Sequence, residues 1–301
     1  MSIQSLSIVV PGKKCINNCK FCVSRTHQDI VYENKIDEDK ISKEKINFKY
    51  NFSSPPELRY RKALRYAKEL GCTTVMLTGE AEPQQNMPFL RWFLDVNSHL
   101  MNNLFNNIEI QTTGRGLTRE KIFDLAERGV NTFSISVSSF DDEENNRIIG
   151  VPYDDKIRLV DLCKNIKDTG CLLRMSLNLN KAFYHIQDTA SLLRDCKQVY
   201  GADQVTLRKL YKSGKDCEQD KWIESHCNIY KDDDYFQYIK VNGARLETLP
   251  YGMIKYSLEG VGTVADNDCM AKNNTEDIRY LILRPDCHLY TRWDDPASII
   301  F

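Results

Sequence analysis

Six short apolar runs alternate with amphipathic helical patterns along the first two thirds of this 301-residue chain. The runs are five or six residues long and rich in β-branched residues, as is typical of buried strands. They cover residues 6–10, 73–77, 108–112, 132–137, 172–177 and 205–210. Helical patterns lie near residues 54–70, 89–100, 118–129, 154–170 and 192–199, with the fourth helix expected to begin at Asp154.

This alternation predicts an α/β fold, because a parallel strand can return to its sheet only through a long crossover connection. Six strands with helices between them fit a partial (β/α)6 parallel barrel over residues 1–211. Residues 212–301 fall outside the repeat, and we expect them to form a C-terminal extension that caps the barrel mouth. Sites in βα barrels lie at the carboxyl ends of the strands, so candidate residues are sought there.

The first strand is followed at once by three cysteines, Cys15, Cys19 and Cys22, in the spacing C-x3-C-x2-C. Thiolates are soft ligands that favour iron–sulfur clusters, and three of them would leave the fourth iron of a cubane cluster open. An open metal position is typical of a catalytic site. The alternatives are a non-catalytic iron–sulfur or zinc-binding protein with a redox or structural role, or three unrelated buried thiols.

At these residues the chain resembles the radical S-adenosylmethionine (radical SAM) superfamily, whose signature places an aromatic residue, here Phe21, just before the third cysteine. The resemblance implies one 4Fe–4S cluster on Cys15, Cys19 and Cys22, with SAM bound to the open iron. It further implies reductive cleavage of SAM to a 5′-deoxyadenosyl radical, which abstracts hydrogen from a substrate. A reductant such as flavodoxin or ferredoxin would supply the electron.

The second strand ends in a turn that resembles the family's Gly-Glu-Pro turn, which holds the amino group of SAM. Gly79, Glu82 and Pro83 match it, whereas Ala81 stands where a second glycine is usual. A carboxylate suits an ammonium group, so the resemblance assigns the amino group to Glu82, with Glu80 as the second choice. A plain loop at a strand end is the alternative.

Polar side chains near the ends of the later strands are further candidates for SAM contacts. Ser136 and Ser138 lie at alternate positions of the fourth strand and therefore on one side of it. Arg174 and Asn178 are candidates on the fifth strand, because a guanidinium group matches the carboxylate of SAM. Satisfied polar residues at strand ends are the alternative. Arg208 and Tyr211 are weaker candidates for SAM or substrate contacts.

The charge balance and the absence of targeting patterns in the sequence limit which partners and which cellular compartment we expect. The chain has 41 Lys and Arg against 42 Asp and Glu, which provides no general attraction to nucleic acid or to an anionic membrane. The sequence begins without a signal-peptide pattern and contains no membrane-span pattern, so we expect a cytoplasmic protein with reduced thiols. The substrate is expected to be a small metabolite or nucleotide, or a peptide. Residues 25–52 are charged and predict a loop or lid.

Four further cysteines, Cys217, Cys227, Cys269 and Cys287, lie in the extension. Some radical SAM enzymes bind auxiliary clusters in such an extension, and the sequence around Pro285-Asp286 partly resembles that pattern. Residues 280–290 form a hairpin pattern with Asp286 and Cys287 in the turn. The tail has no C-x2-C pair, so we expect an extension without a cluster.

Overall fold

The computed structural model describes residues 3–12, 14–24, 55–249, 253–266 and 278–301. The predicted lid at 25–52 and the candidate ligand Cys269 lie outside the described residues.

Eleven strands of the described residues form one sheet. The strands are β1 (Ser5–Val9), β2 (Thr74–Thr78), β3 (Asn107–Thr112), β4 (Thr132–Val137), β5 (Leu172–Asn178), β6 (Gln204–Arg208), β7 (Ala244–Thr248), β8 (Ile254–Leu258), β9 (Val261–Asp266), β10 (Tyr280–Leu283) and β11 (Leu289–Tyr290). The α-helices are α1 (Pro55–Glu69), α2 (Met87–Asp95), α3 (Arg119–Glu127), α4 (Asp142–Ile149), α5 (Leu159–Lys167), α6 (Thr189–Gln198), α7 (Glu218–His226) and α8 (Ile229–Asn242).

The six predicted strands lie side by side in chain order, β1 to β6, and each neighbouring pair is parallel. The extension contributes a further parallel strand at each side, β10 next to β1 and β9 next to β6. Antiparallel strands complete the two edges, β11 on one and β8 with β7 on the other. The sheet is open, and the prediction of a partial parallel barrel is confirmed.

The two faces of the sheet differ in chemistry. Residues such as Ile110, Ile135 and Leu177 are fully buried and form the core with the helices. The opposite face carries polar side chains, among them Glu109 on β3 and Arg174 on β5, whose Nη1 atom donates to Oε2 of Glu109 at 2.5 Å. Because β4 separates these two strands, the contact shows that polar side chains meet across this inner face of the sheet.

The connection between β4 and β5 differs from the prediction of one helix from Asp154. Helix α4 begins after Asp141, whose side chain accepts a hydrogen bond from the Glu144 backbone N–H at 2.8 Å, and ends at Gly150. A 3-10 turn follows at Tyr153–Asp155, and α5 begins only at Leu159. Sequence analysis missed α4 because its polar residues show no apolar period.

The extension contains more regular structure than the sequence predicts. Helices α7 and α8 lead into strands β7 to β9, whereas only the hairpin at 280–290 was expected. That hairpin is confirmed, and Cys287 in its turn has a positive φ of 68°. Among the described residues, no helix is long and apolar enough to cross a membrane.

A candidate cofactor site at the carboxyl edge of the sheet

The cysteine loop leaves the carboxyl end of β1 and lies on the C-terminus of α4. The backbone N–H of Asn18 donates to the Ile149 carbonyl at 3.0 Å, and that of Lys20 donates to the Ile148 carbonyl at 3.2 Å. Gly150, which ends α4 with φ 70°, lies against Asn18. The loop is therefore placed by a helix that follows it by more than a hundred residues.

The three cysteine side chains of this loop are partly exposed. Burial raises the pKa of Cys15, a hydrogen bond from the Asn17 backbone N–H lowers it, and the nearby acidic groups Glu82 and Cys22 raise it. Within the described ranges, no group of three or more His, Cys, Asp or Glu side chains is arranged to hold a single metal ion. Three accessible thiols on one short loop are the donor set of a cluster that takes one thiolate per iron, so these residues fit a 4Fe–4S group.

Glu82 lies beside this loop but is buried, with 7% of its surface exposed. Its carboxylate accepts hydrogen bonds from the side chains of Asn17, Gln84, Thr112 and Thr113. Glu80, the second choice for the SAM amino group, is exposed. The predicted contact between Glu82 and SAM stays a prediction.

Gly79, in the turn after β2, has little room for a side chain. A Cβ atom at this position would lie 3.3 Å from both the backbone N and the carbonyl O of Val10, at the end of β1. Glycine therefore lets the turn after β2 approach the start of the cysteine loop.

The structure brings two of the residues predicted to contact SAM together. Nδ2 of Asn178 donates to Oγ of Ser138 at 3.3 Å, and both residues are buried. Ser138 is also held by Asn145 and Asn180, through its backbone N–H and its carbonyl. Ser136 is partly exposed on the same side of β4.

Arg174, the predicted partner of the SAM carboxylate, does not lie at the carboxyl end of its strand. It is the third residue of β5, at the opposite half of the strand from Asn178. Its guanidinium group binds Glu109 and also donates to Oε1 of Gln204 at 2.8 and 3.0 Å. The SAM contact of Arg174 stays a prediction. The structure shows that Arg174 forms an ion pair with Glu109 on the polar face of the sheet.

Arg208 and Tyr211 lie near the end of β6. Nε of Arg208 lies 3.2 Å from Oδ2 of Asp266, the last residue of β9. The Tyr211 carbonyl accepts a hydrogen bond from Gln219 in α7. Their predicted contacts also stay predictions.

Sequence reasoning missed the residues that surround the loop from distant parts of the chain. The Trp222 ring of α7 lies 5.8 Å from the Phe21 ring and stacks on His226 at 4.3 Å. Arg115, which is 8% exposed, donates to the Ile16 carbonyl. The glycines on both sides of Arg115 were the only sequence signal that the turn after β3 is special.

The fold is a partial barrel of mostly parallel strands. The three cysteines at the carboxyl edge of its sheet form a candidate cofactor-binding site. Residues 9–188 match the family model described as the radical SAM superfamily. The chain belongs to this superfamily, whose members are enzymes that bind a 4Fe–4S cluster and SAM. No curated protein matches the sequence.

Solved structures resemble the fold at low sequence identity. The structure of Streptococcus suis SuiB bound to precursor peptide SuiA aligns with a TM-score of 0.59 and 14% identity, over 96% of this chain and 59% of SuiB. The structure of anSMEcpe with AdoMet and the Cp18Cys peptide aligns with a TM-score of 0.58 and 11% identity, over 97% and 74% of the two chains. Coproporphyrinogen III oxidase (HemN) from Escherichia coli aligns with a TM-score of 0.50 and 14% identity, over 94% and 63%. The chain thus spans 59% of the SuiB chain.

Proposed function

We propose that this protein is a radical SAM enzyme whose 4Fe–4S cluster is held by Cys15, Cys19 and Cys22. The observation that carries the proposal is the three accessible thiols at the carboxyl edge of a parallel sheet in a chain of this superfamily. When bound, and with one electron from a reductant such as flavodoxin or ferredoxin, the cluster and SAM would supply a 5′-deoxyadenosyl radical that abstracts hydrogen from the substrate.

The chain's own residues hold and orient these groups. The Asn17 backbone N–H lies 3.4 Å from the Cys15 sulfur and stabilises its thiolate form. The Phe21 ring, which precedes Cys22 in the chain, lies 5.8 Å from the Trp222 ring, so the aromatic residue of the cysteine loop packs against α7. Near the carboxyl edge of the polar inner face, the partly exposed Ser136 offers a hydroxyl group to the ribose of SAM. Ser138 and Asn178 are buried and bonded to each other, and a ribose contact from them requires that this bond opens.

A peptide is the substrate class that we propose. Two structures with the same fold, those of SuiB and anSMEcpe, are described with peptides bound. Small metabolites and nucleotides are the alternative substrates. Deuterium transfer from a deuterated peptide pool into 5′-deoxyadenosine would support a peptide, and transfer only from a deuterated small-metabolite pool would contradict it.

The cluster assignment is tested by anaerobic reconstitution, followed by measurement of iron per chain and of 5′-deoxyadenosine formed with and without dithionite. We expect about four irons in the wild type. Replacing Cys15, Cys19 and Cys22 together by Ala should remove the iron, the cluster absorbance and SAM cleavage.

The matched control is Cys217→Ala, which removes a partly exposed thiol outside the loop and should change none of these values. Full iron retention in the triple variant, or an equal loss in the control, would contradict the assignment.

A further inference from the structure

The Glu82 carboxylate has no acceptor capacity left for a ligand. Oε1 accepts from Nδ2 of Asn17 at 2.7 Å and from the Thr113 hydroxyl at 2.9 Å. Oε2 accepts from the Thr112 hydroxyl, from Nε2 of Gln84 at 3.0 Å and from the Thr113 backbone N–H at 3.1 Å. A carboxylate offers about four lone-pair sites. Four donors of the protein therefore already fill this buried carboxylate, and Nε2 of Gln84 adds a fifth, shared contact, since it also lies 2.6 Å from the Arg115 carbonyl and 2.8 Å from the Thr112 hydroxyl.

One of these donors belongs to the cysteine loop itself. Asn17 lies between Cys15 and Cys19 and is 6% exposed. Its Nδ2 atom binds both Glu82 and the Thr113 hydroxyl, the latter at 2.9 Å. Its backbone N–H lies 3.4 Å from the Cys15 sulfur. The position of the Asn17 side chain thus fixes the backbone that carries the first thiol.

The turn that follows Glu82 holds the same loop at three further points. Oε1 of Gln85 accepts from the Ile16 backbone N–H at 3.1 Å, and its Nε2 atom donates to the Lys14 carbonyl at 3.3 Å. Nδ2 of Asn86 donates to the Pro11 carbonyl at 2.6 Å. Oε1 of Gln85 also accepts from the Glu82 backbone N–H at 3.2 Å, which ties these contacts to Glu82.

We propose that Glu82 is a positioning residue for the cluster loop, and that it acts through Asn17 and not by binding the amino group of SAM. These converging donors require an acceptor with no hydrogen of its own, and a carboxylate meets this requirement whereas an amide does not. The link to the cluster rests on the proposed function, but the contact between Glu82 and Asn17 does not.

The test uses Glu82→Gln, Asn17→Asp and the double variant that carries both changes. In Glu82→Gln an amide donor faces the Asn17 amide, and in Asn17→Asp two carboxylates face each other. The double variant restores a donor and an acceptor in reversed order. Hydrogen exchange of the Ile16 and Asn18 backbone amides in the protein without cluster reports on the loop. Iron release to a chelator and SAM binding by equilibrium dialysis report on the reconstituted protein.

We expect each single variant to speed exchange at Ile16 and Asn18 and to speed iron release, by about tenfold or more, as for a lost hydrogen bond to a buried charge. The double variant should recover most of both losses. SAM affinity of cluster-containing Glu82→Gln should stay within about threefold of the wild type. Glu80→Gln is the control, since Glu80 lies exposed in the same turn and should leave the loop amides unchanged.

Wild-type exchange and iron release in Glu82→Gln, together with a tenfold loss of SAM affinity that Asn17→Asp does not rescue, would overturn the proposal in favour of direct amino-group binding. A protein that takes up no iron would contradict the proposed function, yet the exchange measurement would still decide the role of Glu82. Should Glu82→Gln fail to fold, Asn17→Ala tests the same link, and unchanged exchange at Ile16 in that variant would overturn it.

Discussion

At the scale of single residues, Gly150 connects the end of α4 to the cysteine loop. Its φ of 70° lies in the left-handed region, and a Cβ atom there would lie 2.7 Å from Cβ and 2.8 Å from the carbonyl O of Asn18. Any side chain would therefore add both backbone strain and a clash with the loop.

We predict that Gly150→Ala lowers the free energy of unfolding by about 2–4 kcal/mol, the sum of backbone strain and overpacking. Urea unfolding measures this loss. Gly170→Ala is the matched control, because Gly170 has φ 81° but an added Cβ would meet no atom within 4 Å. The control should lose only about 1 kcal/mol. Equal losses in the two variants would show that the contact with Asn18 costs nothing.

At the scale of elements, α8 carries a buried carboxyl group into the interface that it forms with the core. Asp232 in its first turn is 3% exposed and accepts a hydrogen bond from the Tyr184 hydroxyl at 3.0 Å. Burial raises the pKa of Asp232 to about 6, against the opposing effects of Tyr184 and Lys209, while Asp233 raises it further. The folded protein therefore binds this proton more firmly than the unfolded chain.

The pKa of Asp232 is higher in the folded protein than in the unfolded chain. Its carboxyl group therefore lowers the free energy of unfolding little below about pH 4, and by its full amount above about pH 6. We predict that Asp232→Asn stabilises the protein relative to the wild type, and that this difference grows by about 1 kcal/mol from pH 5 to pH 7.5. Chemical denaturation at the two pH values measures it. Asp234→Asn, at an exposed position of the same helix, should show no such growth. If the stability difference between Asp232→Asn and the wild type shrinks as the pH rises, burial of the ionised Asp232 does not destabilise the protein.

At the scale of the whole molecule, the iron content of the chain shows whether it binds one cluster, on the cysteine loop, or a second one in the extension. Burial raises the pKa of Cys227 to about 12 and that of Cys287 to about 11. The Cys227 thiol lies 3.5 Å from the Leu179 carbonyl, a position that suits a protonated donor. Cys227 is partly buried and Cys287 is buried, and their raised pKa values favour protonated thiols over thiolate ligands.

We predict that a variant with Cys217, Cys227, Cys269 and Cys287 changed to Ser or Ala retains the wild-type iron content of about four per chain and still forms 5′-deoxyadenosine. Iron analysis and product detection after reconstitution measure both. About eight irons in the wild type and half as many in the variant would instead identify an auxiliary cluster in the extension.

Local patterns in the sequence were enough to predict the order of β1 to β6, the place of the cysteine loop after the first strand and the hairpin at 280–290. These features depend on apolar period, turn residues and spacing, which neighbouring residues define together. The structure confirms them, with strand ends shifted by at most two residues.

Only the tertiary structure decided what surrounds the predicted site residues. The contact between Asn17 and Glu82 joins residues 65 positions apart, that between Arg115 and Ile16 joins residues 99 apart, and Arg174 meets Glu109 across 65 positions. The strands that the extension adds to both edges of the sheet depend in the same way on distant pairing. Such partners follow from how the sheet brings its carboxyl ends together, and no local period in the chain records which polar groups then meet.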